Sequence, residues 1–271
     1  MKMLFPDAHL KTQRLNKFPV SKSHWLVGSW PLGVIFFLMA FAGTAAKAQT
    51  ADGASDADIK GRELARQLCD APPTESFTNT GVLQIRDGKG NRKNIPVSFK
   101  TIAGADVWRF ICLAPETKAE ILIVHKAGQP NEYFNEAQSQ SEAQPLAAAE
   151  IYQPFAGSDF SPADLGLEFL HWPSQKILPK PTNLKRGREY TLLESSLPNP
   201  ATNGYSRVRS WIDKETGGIL QAEAYDTQGK LLKNFEPKSF KKINGQWELE
   251  EMEISNVQAD SRTRMEFDLN K

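Results

Sequence analysis

The feature that most constrains this chain is the alternation of apolar and charged residues in its C-terminal third. Val208 and Ile212 alternate with Arg207 and Arg209, and Leu220, Ala222 and Ala224 with Gln221 and Glu223. Met252 and Ile254 alternate with Glu251 and Glu253, and Met265, Phe267 and Leu269 with Arg264, Glu266 and Asp268. A period of two marks strands with one face in a core and the other in water. Glu215-Thr216-Gly217-Gly218, Thr227-Gln228-Gly229 and Asn244-Gly245 separate these runs as hairpin turns. Turns this short join antiparallel neighbours, because parallel neighbours need long crossovers.

The same pattern runs upstream. Phe77, Gly81, Leu83 and Ile85 share a face and lead into the turn Asp87-Gly88-Lys89-Gly90. Ile95, Val97 and Phe99 alternate with Asn94, Pro96 and Ser98, and a Pro inside that run predicts an edge strand. Residues 105–113, 119–125, 188–195 and 230–240 complete a set of about ten strands.

Helix signals are few. Ser55 and Asp56 cap a short helix that runs to about Cys69, with Leu64 and Leu68 on one face and Pro72-Pro73 ending it. A second helix starts at Ser161 as N-cap, with Pro162 at the first position and Asp164 placed for a reciprocal cap. It carries Leu165, Phe169 and Leu170 and stops near Trp172-Pro173. Residues 128–150, rich in Ala, Gln, Glu and Ser, predict a long loop or a weak helix. The fold class is therefore mainly β (α+β), a large curved antiparallel sheet with two or three helices over its apolar face. So few helices cannot cover ten strands, so part of that face is expected to line a cavity.

The N-terminus reads as an export signal. Lys2, Lys11, Arg14, Lys17 and Lys22 precede an apolar core from Pro31 to Phe41, and Ala46 and Ala48 give the small-x-small pattern of a cleavage site. Cleavage after Ala48 would start the mature chain at Gln49 and make it periplasmic; the alternative is an uncleaved anchor in the inner membrane, since Trp25 to Ala46 carries no charge. The expected organisation is a signal peptide over 1–48, a tether and helix over 49–76, and a single domain over 77–271. The formal charge of +1 hides an asymmetry, because the first 48 residues hold six Lys and Arg against the single acid Asp7. What remains is net acidic and lacks the basic footprint that nucleic acid requires.

Cys69 and Cys112 are the two cysteines. In an oxidising compartment they can close a disulfide stapling the first helix to a strand; equally, they can be two unrelated small hydrophobes. Neither they nor His125 and His171 show metal-ligand spacing, so no metal is expected. The chain has no G-x-S-x-G, H-E-x-x-H, C-x-x-C or Walker loop, and no enzymatic activity or cofactor is expected. His125 on an apolar strand and His171 at a helix end read as packed or capping imidazoles. The acidic run from Glu248 to Glu253 reads as a solvated face, and Arg186, Arg207 and Arg209 as either an anionic-headgroup patch or scattered solvated residues.

One ordered set of fragments resembles a known family. Phe155-Ala156-Gly157-Ser158-Asp159-Phe160-Ser161-Pro162-Ala163-Asp164-Leu165 resembles the segment before the lid helix of LolA-like outer-membrane lipoprotein-sorting proteins. Trp211-Ile212-Asp213-Lys214-Glu215-Thr216-Gly217, Ala224-Tyr225-Asp226 with Gly229-Lys230-Leu231-Leu232, Phe240 to Trp247, and Glu251 to Asn256 keep that family's order and approximate spacing. The resemblance covers most of the chain from Phe77 onward, leaving out 128–150. It implies a half-open β-barrel with helices over its mouth and a cavity for the acyl chains of lipoproteins or lipids. It also implies an inner-membrane exporter and an outer-membrane receptor as partners, or else an envelope interaction or stress-sensing module on the same scaffold. On this reading the 161–171 helix is a movable lid. The cavity would be lined by Leu165, Phe169, Val208, Ile212, Leu220, Ala222, Met252, Ile254, Met265 and Phe267.

Overall fold

A computed structural model describes residues 55–70, 72–135, 145–179, 184–243 and 246–269. The leader, the cleavage point and the Asn244-Gly245 turn lie outside these residues. Helix α1 spans Asp56–Cys69, capped by Ser55 and Asp58 in a reciprocal box. Twelve strands follow, interrupted by one short helix. They are β1 (Phe77–Arg86), β2 (Arg92–Ile102), β3 (Val107–Ala114), β4 (Ala119–Lys126) and β5 (Glu132–Phe134), then β6 (Ser174–Leu178), β7 (Tyr190–Ser196) and β8 (Arg207–Asp213). The last four are β9 (Ile219–Tyr225), β10 (Leu231–Ile243), β11 (Gln246–Asn256) and β12 (Ser261–Phe267).

All pair antiparallel in one curved, unclosed sheet, ordered β5-β4-β3-β2-β1-β12-β11-β10-β9-β8-β7-β6. The first and last strands meet at its centre, with Gly81 opposite Phe267 and Leu83 opposite Met265. Successive hairpins then carry the chain outward in both directions, so the two edges, β5 and β6, are consecutive in sequence. Whatever joins them must travel from one edge of the sheet to the other. That link is the segment between Phe134 and Ser174, and its apolar residues pack on the inner face.

Two hydrophobic clusters fill that face. The first joins Leu83, Phe99, Met252, Ile254, Met265 and Phe267 to Ile151, Phe155, Phe160 and Leu165 of the link. The second joins Val208, Ile212, Ile219 and Ala222 to Phe169, Leu170 and Trp172 of the link and to Ala65 of α1. The hairpin turns form as their residues require: Asp87 Oδ1 accepts from the Lys89 and Asn91 amides, and Gly217 and Gly229 take positive φ.

Several expectations are corrected. The strand holding Pro96 is internal, between β1 and β3; its ladder to β3 begins only at Ser98, so Pro96 sits in the overhang where no β3 partner needs its missing N–H. Two strands escaped the sequence reading, and they are the two edges. β5 lies inside the expected 128–150 loop, and β6 turns only Gln175 fully inward. The helix expected over 161–171 is two short turns. α2 (Pro162–Leu165) ends at Gly166, Leu167 takes a left-handed backbone with φ 49°, and a 3-10 turn follows over Glu168–His171. A left-handed residue cannot continue an α-helix, which is why the pattern breaks there.

Candidate binding cleft

The link over the inner face is a strap of tight turns rather than a helix. It passes through 3-10 turns at Glu150–Tyr152 and Phe155–Gly157 before the capped α2. Ser161 and Asp164 form the reciprocal cap that the sequence encodes, the Asp164 carboxylate accepting from both the amide and the hydroxyl of Ser161. The same carboxylate reaches further. Tyr205 OH donates to Asp164 Oδ1 at 2.6 Å, and Lys233 Nζ on β10 donates to Oδ2 at 2.8 Å. Lys233 also donates to the Asp159 carbonyl at 2.7 Å, while Thr263 Oγ1 on β12 donates to Asp159 Oδ2. The middle of the strap is thereby clasped to β10 and β12 by buried, charge-assisted hydrogen bonds.

Towards β4 the strap stands away from the sheet and leaves a cleft of about 770 Å³. Its walls are Lys118, Ala119, Glu120 and Ile121 at the start of β4, with Asn135, Leu146 and Glu150, and the turn Gln153–Ala156 with Pro162. Ile121 and Phe155 are core residues of the first cluster, and Ala119, Leu146 and Ala156 pack against it. The apolar side of the cleft thus adjoins the first cluster, and Lys118, Glu120, Asn135, Glu150 and Gln153 make the rest of its wall polar.

The residues expected to line a cavity are placed as follows. Leu165, Met252, Ile254, Met265 and Phe267 belong to the first cluster, and Phe169, Val208, Ile212 and Ala222 to the second; all nine are buried, packed against the strap. Leu220 is only half-buried. It is the extra residue of a bulge, since Trp211 pairs with Gln221 and Ile212 with Ile219, and Ile219 takes the inward position instead. None of the ten lines the cleft. Sequence reasoning missed the cleft residues because most stand on turns without periodicity.

Cys69 and Cys112 are free thiols, and the bridge is not formed. The reason is the docking of α1, which carries Cys69 to the margin of the second cluster, whereas Cys112 on β3 points into the first. Arg207 and Arg209 share the Tyr225 ring, while Arg186 is held elsewhere. Arg186 pairs with Glu236 at 2.6 Å, Arg209 with Glu194 at 2.8 Å, and Arg207 lies over the Tyr225 ring. Glu253, expected on a solvated face, is only 8% exposed and held by Lys238 and Arg264.

His125 and His171, 46 residues apart in sequence, converge in the fold. His125 and His171 rings lie 5.0 Å apart, with Trp108 stacked on His125 at 4.0 Å. His125 Nδ1 lies 2.8 Å from Asn131 Oδ1, and its Nε2 lies 3.3 Å from Asp70 Oδ1 at the end of α1. Asn131 donates to the Gly166 carbonyl, and Tyr133 OH donates to Glu168 at 2.8 Å. This polar knot ties α1 and the last turn of the strap to the β4–β5 hairpin. Burial pushes the Glu168 carboxyl up to about 7 and the His171 imidazole down to about 4, His125 adding to the latter.

A family model, described as that of an uncharacterized protein, matches residues 110–270. No curated protein matches the chain in sequence. Among solved structures it is similar to a DUF1329-family protein from Desulfovibrio piger, with a TM-score of 0.64 and 18% identity over 79% of this chain and 92% of that one. It is also similar to a domain from Vibrio parahaemolyticus described as an outer membrane lipoprotein-sorting protein, with a TM-score of 0.63 and 19% identity over 78% and 91% of the two chains. A LolA-superfamily protein from Nitrosomonas europaea aligns with a TM-score of 0.54 and 14% identity over 79% and 92%. At these identities the likeness establishes a shared fold. Among the described residues no helix is long and apolar enough to cross a membrane.

Proposed function

The chain belongs to the LolA-like family, and on that premise we propose that it is an envelope carrier that shelters the acyl chains of lipoproteins or lipids from water. The observation that carries this reading is the cleft of about 770 Å³, whose apolar wall residues adjoin the first cluster. That volume falls in the range of about 300–1,000 Å³ usual for small-ligand clefts. An acyl chain entering there would be held by the same force that builds the core, about 0.8 kcal/mol per buried methylene. The carrier would be exported, its leader removed after Ala48, and would exchange cargo with an inner-membrane exporter and an outer-membrane receptor. None of this requires chemistry.

The test is a titration of exported, delipidated protein with a fluorescent fatty acid or lipopeptide. Leu146→Glu in the half-buried cleft wall should abolish saturable binding, while Lys89→Glu on the exposed β1–β2 turn should not. A second reading, an interaction or sensing module on the same scaffold, is favoured by the nine expected lining residues being packed as core. Absence of saturable binding in the wild type would select it.

A further inference from the structure

The apolar inner face of the sheet is interrupted at β10 by a buried charge. β10 lies between β11, which feeds the first cluster, and β9, which feeds the second. On this boundary strand one inward position is a lysine, Lys233, and the next, Phe235, fills the seam between the two clusters. Lys233 is 9% exposed, and its ammonium is held by the Asp159 carbonyl and the Asp164 carboxylate of the strap. Tyr205 OH closes on the other Asp164 oxygen, and Lys233 Nζ stands 5.5 Å from the Tyr205 ring centre. Thr263, fully buried, holds Asp159 from β12. Among the described residues, Tyr152 and Phe235 alone pack against both clusters.

We propose that this clasp is a partition: the cargo's acyl chain occupies the first compartment alone, entering at the cleft by β4 and ending against Lys233 and Asp164, which set the longest chain accepted. The proposal rests on the carrier reading above. A methylene chain offers neither donor nor acceptor, so it cannot replace any bond of the clasp. To pass, it would have to leave an ammonium and a carboxylate buried without partners, the costliest outcome a dry interior offers. The clasp also fixes the strap at its middle. The part free to yield is then the stretch from Leu146 to Ala156, which borders the cleft, whereas Phe169 and Leu170 close a permanent core with Val208 and Ile212.

Two measurements test it. First, delipidated wild-type protein is loaded with a fatty acid carrying a terminal diazirine, irradiated, and mapped by peptide mass spectrometry. For a chain long enough to reach the clasp, adducts are expected at the first-cluster residues beside it, Phe160, Leu165 and Ile254. Adducts at Phe169, Val208 or Ile212 would overturn the partition and leave the carrier reading standing, while no saturable adduct anywhere would overturn both. Second, affinity is measured along a series of saturated fatty acids. In the wild type each added methylene should tighten binding by about fourfold until the chain meets the clasp, then no further. The double variant Lys233→Met/Asp164→Leu, which replaces the pair by apolar groups, should carry the increase on to longer chains. An identical cut-off in both proteins would overturn the partition. Should the double variant not fold, the adduct map on the wild type decides alone.

Discussion

Gly61 of α1 lies so close to Gln175 of β6 that an added Cβ would stand 2.5 Å from the Gln175 carbonyl oxygen. Backbone meets backbone there, and neither can give way. Elsewhere in a helix, Gly→Ala gains about 1 kcal/mol from propensity. Gly61→Ala should instead destabilise, by about 1–3 kcal/mol, because the helix must lift from the sheet edge. Urea denaturation decides between the two signs, and a gain in stability would show that α1 does not dock this way.

The Lys233–Asp164 pair has side chains only 11% and 12% exposed. Removing one partner of such a pair leaves the other charge buried, at a cost of about 3–5 kcal/mol. Lys233→Met is therefore expected to lose that much stability. Adding Asp164→Leu should recover part of the loss although it removes three further hydrogen bonds, two from Ser161 and one from Tyr205. A double-mutant cycle read by chemical denaturation checks the coupling; additive losses would contradict it.

Glu168 and His171 share one 3-10 turn but titrate in opposite senses. Burial raises the Glu168 carboxyl from 4.5 to about 7, so its ionisation erodes stability as pH rises through that window. Burial lowers the His171 imidazole from 6.5 to about 4, so its protonation erodes stability as pH falls through that window. Between pH 4.5 and 6.5 the two slopes oppose each other, and the wild-type contribution should be nearly flat. Glu168→Gln should leave stability falling towards acid, at up to about 1.4 kcal/mol per pH unit, and His171→Gln should leave it falling towards neutrality. Urea midpoints at three pH values across the window measure the slopes. Three parallel profiles would refute the assignment.

How far the sequence carried this fold depends on the range of the interaction concerned. The Ser55–Asp58 and Ser161–Asp164 caps and the Asp87 turn were legible because each closes within a few residues. Ten strands were legible because each presents a full alternating face. β5 and β6 were not, being three and five residues long and held by neighbours rather than by pattern. The cleft was illegible for a related reason: Glu150, Gln153 and Pro154 stand on turns and gain meaning only once the link between the two edge strands has been laid over the sheet. The clasp partners Lys233 and Asp164 are 69 residues apart, and a lysine in an alternating strand reads as solvated until the strap is seen above it.

The thiols offer a direct check on α1 docking. Burial pushes the Cys69 thiol up to about 12, and Cys112, deeper in the first cluster, is raised further. The thiolate is the reactive form, so neither should react appreciably with a thiol reagent in native protein at pH 8. In denaturant without reductant, two thiols should be counted. A count of none would restore the bridge and require α1 to sit over β3 instead.

The bulge in β9 yields the sharpest local prediction, because it separates two adjacent apolar residues that alternation alone assigns the other way round. Counting back in steps of two from Ala224 and Ala222 places Leu220 inside and Ile219 outside. The turn intervenes: the Asp213 amide donates to the Gly218 carbonyl and the Gly217 amide to the Asp213 carbonyl, which fixes where the hairpin closes. Closing it there leaves β9 one residue longer than β8 can pair, and Leu220 is the residue left over. Ile219 then faces the second cluster at 5% exposure beside Ile212, while Leu220 stays half in water. Ile219→Ala should cost about 2–5 kcal/mol, as loss of a core side chain does. Leu220→Ala should cost about 1 kcal/mol or less. Urea denaturation of the two variants side by side gives the order, and a larger loss at Leu220 would mean that the strand keeps strict alternation and the bulge is absent.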